Sequence, residues 1–126
     1  MKKIINTSLA PNPLGPYNQA ILSNNILYIS GQIAINPSNG EFVIHNIKEE
    51  TNQVMLNLKA ILNEVNSSFE NVVKSSIFIK NMDDFAQINE VYGSYFNEDT
   101  APARETVEVA KLPKNVNVEI SMIAHI

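Results

Sequence analysis

The sequence predicts an α+β domain in which a mixed sheet carries two helices on one face. Three observations lead there. Two segments place apolar residues at helical spacing, several others alternate or enrich β-branched residues, and the predicted order is strand, strand, short strand, helix, strand, helix, strand, strand. The 126 residues and 44% apolar content suit one hydrophobic core, so residues 1–126 are read as a single domain.

After a Pro-rich opening (Pro11, Pro13, Pro16), Tyr17–Ser23 and Ile26–Ser30 are read as a hairpin around Asn24-Asn25, a pair that tolerates positive φ. The run Asn36-Pro37-Ser38-Asn39-Gly40 marks a second turn. Its Asn-Gly favours a type I′ geometry, which predicts a short third strand around Glu41–Ile44.

Ile47, Val54, Met55, Leu58, Ile61, Leu62 and Val65 share one helical face, so a helix is expected from Ile47 to about Asn66. Asn46 is the expected N-cap, and Glu49 favours the positive helix end. Val72–Lys80 reads as a strand. Asp83 is the expected cap of a second helix whose Phe85, Ile88, Val91, Tyr92, Tyr95 and Phe96 share a face, weakened slightly at Gly93. Two last strands, Arg104–Ala110 and Val116–Ala124, are split by Leu112-Pro113-Lys114-Asn115, where proline interrupts ladder pairing.

Composition narrows the function. Net charge is −4 and Arg104 is the only arginine among scattered lysines, so no basic stripe exists to bind a nucleic acid backbone. No cysteine is present to supply a disulfide or thiolate, and His45 and His125 lie too far apart in sequence for a metal-ligand motif. No segment has the length and apolarity of a signal peptide or membrane span, so a cytoplasmic protein without membrane partners is expected.

Alternation puts Arg104, Thr106 and Glu108 on one strand face and Glu105, Val107 and Val109 on the other. A guanidinium is a rigid, always charged fork that clamps carboxylates bidentately, so Arg104 is either a ligand anchor or half of a structural ion pair. In the final strand Glu119 falls opposite the apolar set Val116, Val118, Ile120, Met122 and Ala124. It is either a cleft carboxylate that moves a proton or a solvated surface group. Ser30-Gly31 offers a hydroxyl beside a residue that permits close approach. The absence of a Gly-x-Ser-x-Gly elbow speaks against a serine hydrolase. Tyr17 reads as a turn-flanking aromatic and Asn89 as a polar helix residue.

Together these segments resemble the Rid family of enamine and imine deaminases, also called YjgF/YER057c/UK114. Its pattern is carried by Gly15-Pro16-Tyr17 with Gln19, Ser30-Gly31-Gln32, Asn36-Pro37, Gly40-Glu41, Lys80 with Asp84-Phe85, Asn89, Pro102-Ala103-Arg104, Val107 to Lys114 and Glu119-Ile120. The resemblance implies a chorismate-mutase-like (bacillus-type) fold assembled as a homotrimer with sites between subunits. It further implies that 2-imino and enamino acids are hydrolysed to 2-keto acids and ammonia without a cofactor or metal. Arg104 would bind the substrate carboxylate, Glu119 and a water would serve proton transfer, and Tyr17, Ser30, Gly31, Asn89 and Thr106 would shape the pocket.

Two positions depart from the pattern. Thr106 stands where many members have cysteine, and Glu105 where a small residue is usual. Two other functions stay open at this level: a non-catalytic keto-acid-binding or regulatory module, and a ribonuclease or translation inhibitor, against which the acidic balance argues.

Overall fold

The computed structural model describes all 126 residues. Its single sheet has the order β1-β2-β3-β6-β4-β5, from β1 (Lys3–Ile5), β2 (Ala20–Ser23), β3 (Ile26–Gln32), β4 (Val72–Ile79), β5 (Ala103–Glu108) and β6 (Val118–His125). All pairings are antiparallel except β4 with β5, so the sheet is mixed as predicted.

The hairpin turn forms where expected, with Asn24 and Asn25 both left-handed (φ 51° and 63°). Helix α1 (Ile47–Glu64) begins at Asn46, whose side chain accepts the Glu49 N–H at 2.8 Å. It ends as a Schellman motif. Asn66 is left-handed (φ 56°) and donates to the Asn63 carbonyl, while the Ser67 N–H reaches back to the Leu62 carbonyl. Val54, Met55, Leu58, Ile61 and Leu62 are buried against β3 and β6, where truncating one leucine costs about 2–5 kcal/mol. Helix α2 (Phe85–Gly93) packs beside α1, completing the two-helix layer.

Four expectations need correction. Lys3–Ile5 forms an edge strand against β2 that its three residues do not announce. Glu41–Ile44 is not a sheet strand. Asn36 donates to Glu41 and accepts from Gly40, closing a loop with one bridge, Ile35 to Phe42, and only Gly40 (φ 74°) is left-handed, so a type I′ pair is not made. Asp83 does not cap α2; Asn81 caps a 3₁₀ turn at Met82–Asp84 that runs directly into it. Finally, α2 stops at Gly93, and Tyr95 and Phe96 pack on the core from the following turn, stacking edge-on against Phe69.

The helices cover only one face of the sheet. Leu27, Ile29, Ser75, Ile77, Ile79, Val118, Ile120 and Met122 lie beneath them. On the opposite face Tyr28 and Val107 are exposed and Phe78, Ser121 and Ile123 half-buried. No helix is long and apolar enough to cross a membrane.

Candidate active site

Strand register fixes where the candidate residues point. Arg104 pairs with Ser75 and Thr106 with Ile77, both under the helices, so Arg104 and Thr106 share the helix-covered side at the β5 edge. Glu119 pairs with Phe78 on the uncovered side. The valine of β5, Val107, also belongs to that open face, so in this strand the apolar side chain is the one left facing outward.

On the helix side, Arg104 opens into a cavity of about 410 Å³ with Asn89, Tyr92, Gly93, Phe96, Glu98, Ala101 and Pro102. Its Nη1 donates to Asn89 Oδ1 at 2.5 Å. The guanidinium carbon lies 5.6 Å from the Phe85 ring centre and 5.3 Å from that of Tyr92, within cation–π range. Tyr92 is anchored in turn by its hydroxyl to Ser75 Oγ at 2.9 Å. Burial raises the Tyr92 hydroxyl pKa, opposed by the Ser75 bond and the Arg104 charge.

The ion pairs of the chain are Lys48 with Glu90 and Lys74 with Glu105, and His45 contacts Glu49, so Arg104 is not half of a structural salt bridge. Only one of its five N–H donors is engaged in a side-chain hydrogen bond within the chain, which leaves most of the fork available to a ligand. Asn89 is among the residues expected to shape the pocket, whereas Phe85 and Tyr92 are legible in the sequence only as part of an apolar stripe. Their offsets of four and seven put all three on one side of α2, the signal that could have assigned them to the arginine.

Thr106, two residues on, has a buried Oγ1 with no hydrogen-bond partner, a hydroxyl held out of water and unused by the fold. Glu105 points to the other face, where it bonds Ser76 and pairs with Lys74 at 2.9 Å. The Ser76 hydrogen bond, then Lys74, lower its pKa, and its charge is spent away from Arg104.

The open side holds a second cavity of about 410 Å³, lined by Leu14, Tyr17, Ser30, Gly31, Ile33, Pro113, Lys114 and Glu119. A bulge builds it. Between Ile29 and Gln32, β3 inserts one extra residue against β6, placing Ser30-Gly31 opposite Ser121. A Cβ on Gly31 would stand 2.7 Å from Glu119 Cδ, so the glycine makes room for the carboxylate. Ser30 Oγ donates to the Asn18 carbonyl at 2.7 Å, and Tyr17 stays exposed with its hydroxyl accepting the Leu14 N–H at 3.4 Å. Glu119 is half-buried, and desolvation raises its carboxyl pKa, the condition a carboxylate needs to exchange protons nearer neutrality.

The predicted residues thus fall into two groups: Arg104 with Asn89 on the helix side, and Tyr17, Ser30, Gly31 and Glu119 on the open side. Thr106 shares the Arg104 face but lines neither cavity. No three His, Asp or Glu side chains converge at metal-binding distance.

The sequence profile of the family described as "Endoribonuclease L-PSP" matches residues 7–126. The chain is similar to a RutC family protein of Pyrococcus horikoshii, at 50% identity over 99% of this chain and 98% of the relative. It is also similar to a 2-iminobutanoate/2-iminopropanoate deaminase of Dermatophagoides farinae, at 46% identity over 97% and 94% of the two chains. Among solved structures, a conserved Rid family protein of unknown function from Yersinia pestis superposes with a TM-score of 0.97 and 45% identity, covering 100% of both chains.

Proposed function

The chain belongs to the Rid family, the endoribonuclease L-PSP group, and from that premise we propose that it hydrolyses reactive 2-imino and enamino acids to 2-keto acids and ammonia. One observation carries the reading: an arginine without a carboxylate partner faces one cavity, and a half-buried carboxylate faces another on the far side of the sheet. Two such half-sites become one when Arg104 of one copy meets Glu119 of a neighbour. The uncovered sheet face, with exposed Tyr28 and Val107, supports that association, which we assign to a homotrimer of chorismate-mutase-like subunits.

In the completed site Arg104 grips the substrate carboxylate through two N–H donors while Asn89, Phe85 and Tyr92 hold the fork in place. Glu119 of the neighbour takes a proton from water as its oxygen bonds to the imine carbon. Passing that proton to the imine nitrogen completes the carbinolamine; the hydroxyl proton then moves to nitrogen as the C–N bond breaks, so that ammonia leaves and the carbonyl forms. 2-Aminoacrylate enters the same path after gaining a proton at its methylene carbon and losing one from nitrogen. Imines hydrolyse unaided in water, so orienting carboxylate, water and proton acceptor supplies the modest acceleration required. The reaction as written uses no cofactor.

The test generates 2-aminoacrylate or 2-iminobutanoate in situ with a PLP-dependent lyase and follows ammonia and keto acid. Acceleration by the protein that is absent in Arg104→Ala is the expected result. Binding of 2-ketobutyrate by the folded protein without any acceleration would make the chain a ligand sensor instead.

A further inference from the structure

Glu50 is fully buried, in the first turns of α1, and none of the chain's ion pairs includes it. A buried carboxylate without a cation is costly unless hydrogen bonds replace its water. Here all three bonds come from one point in the chain. Oε2 accepts the N–H groups of Asn117 (2.8 Å) and Val118 (3.2 Å), and Oε1 accepts Asn117 Nδ2 (2.7 Å). From the other side the Lys80 N–H donates to the Asn117 carbonyl at 2.9 Å.

That point is the entry to β6. The chain arrives there from Lys114 and Asn115, both left-handed at φ 56°, and Glu119 is the next residue after the clamped pair. A strand that slips by one residue turns each side chain to the opposite face, so fixing the start of β6 fixes the side on which Glu119 emerges. We propose that Glu50 is a positioning residue, whose clamp on Asn117 and Val118 holds the Glu119 carboxylate in its cavity against Gly31. The consequence for catalysis rests on the reading of Glu119 as the group that activates water.

A purely structural Glu50 would change stability alone, so the readout is the carboxyl of Glu119 itself, titrated by carbon NMR in the full chain. Tyr17 and Lys114 line its cavity, and in the two-copy site Arg104 of the neighbouring copy faces it; all three are the same in every variant, and the titration compares proteins in the same state of assembly. In Glu50→Ala the freed strand end admits water, and the Glu119 midpoint falls by about half a unit or more toward the ordinary carboxylate value. Glu50→Gln restores the wild-type midpoint, because its oxygen can accept both backbone N–H groups and its amide can donate to a flipped Asn117. If Glu50→Ala does not fold, Glu50→Asp decides, since it keeps the charge but withdraws it by one methylene, and the same fall is expected.

A Glu119 midpoint unchanged in folded Glu50→Ala or Glu50→Asp, or one that falls as far in Glu50→Gln as in Glu50→Ala, overturns the clamp, whatever happens to the melting temperature. The titration needs no turnover. A wild-type protein that shows the clamp but does not accelerate imine hydrolysis would therefore sink the catalytic reading and leave the positioning intact.

Discussion

Arg104 and Glu119 sit on opposite faces of one sheet, on β5 and β6, with β4 between them. No side-chain rotation brings a guanidinium and a carboxylate through a strand of packed backbone. A substrate that uses both must lie between two copies of the chain.

Replacing Arg104 by lysine keeps the charge but loses the planar fork. Turnover of in-situ 2-iminobutanoate should drop by roughly 10²-fold, with the loss mainly in kcat/KM, and Arg104→Ala should drop it further. Because Arg104 is exposed, the melting temperature of both variants should stay within a few degrees of wild type. A large fall in thermal stability would mean that the stack on Phe85 and Tyr92 matters more to the fold than to the ligand.

Gly31→Ala forces a methyl group to 2.7 Å from Glu119 Cδ, so the carboxylate must swing out of its cavity. Because the carboxylate can swing aside, we expect a stability loss of only about 1 kcal/mol or less by denaturant titration, together with a fall in kcat. A fully active Gly31→Ala protein would show that the placement of Glu119 against β3 is not needed.

Burial raises the Glu119 pKa, so the folded chain holds that proton to higher pH than the unfolded chain does. Between the two values stability falls as pH rises, because the native state binds more protons there. Activity has the opposite slope, since a base must be ionised: the acid limb of kcat/KM should follow the Glu119 carboxyl, raised by burial and drawn down by Arg104 of the neighbouring copy in the completed site. Glu119→Gln should remove both slopes and leave a rate lower by roughly 10²–10⁴-fold. A pH–rate profile unchanged in Glu119→Gln would assign the proton transfer elsewhere.

Thr106→Val separates two uses of one hydroxyl. Its Oγ1 is buried without a partner, so replacing it with a methyl should leave stability unchanged or raise it by about 1 kcal/mol. If substrate uses the hydroxyl, KM rises in the same variant. A marked loss of stability would reveal a bond that the fold depends on.

How much of this was legible in the sequence differs by element. The α1 spacing, the Asn46 cap, the Asn24-Asn25 turn, the β-type composition of Val72–Lys80 and the alternation of β6 each rest on local rules, and the structure follows them. The edge strand Lys3–Ile5 is too short to show a period, and it exists because β2 offers it a partner. The loop after Gln32 was over-read because its turn residues look alike whether or not a sheet strand follows; the Asn36 backbone bonds decide it.

Alternation also placed Arg104 and Glu119 correctly within their own strands. It could not say which faces coincide, since that depends on β4 lying between β5 and β6 and pairing parallel with β5. The same non-local arrangement hid the floor beneath Arg104, which α2 supplies, and the Glu50 clamp, which joins residues 67 positions apart.

The most direct test of the two-copy site mixes chains that each lack one half. Arg104→Ala and Glu119→Gln proteins are each nearly inactive alone; unfolded together, refolded 1:1 and assayed on in-situ 2-iminobutanoate, they should recover about a quarter of wild-type turnover, because a site drawn at random from two neighbours has that chance of joining both intact halves. Mixed assemblies that form but stay as inactive as their parents would contradict a site built from Arg104 of one copy and Glu119 of another.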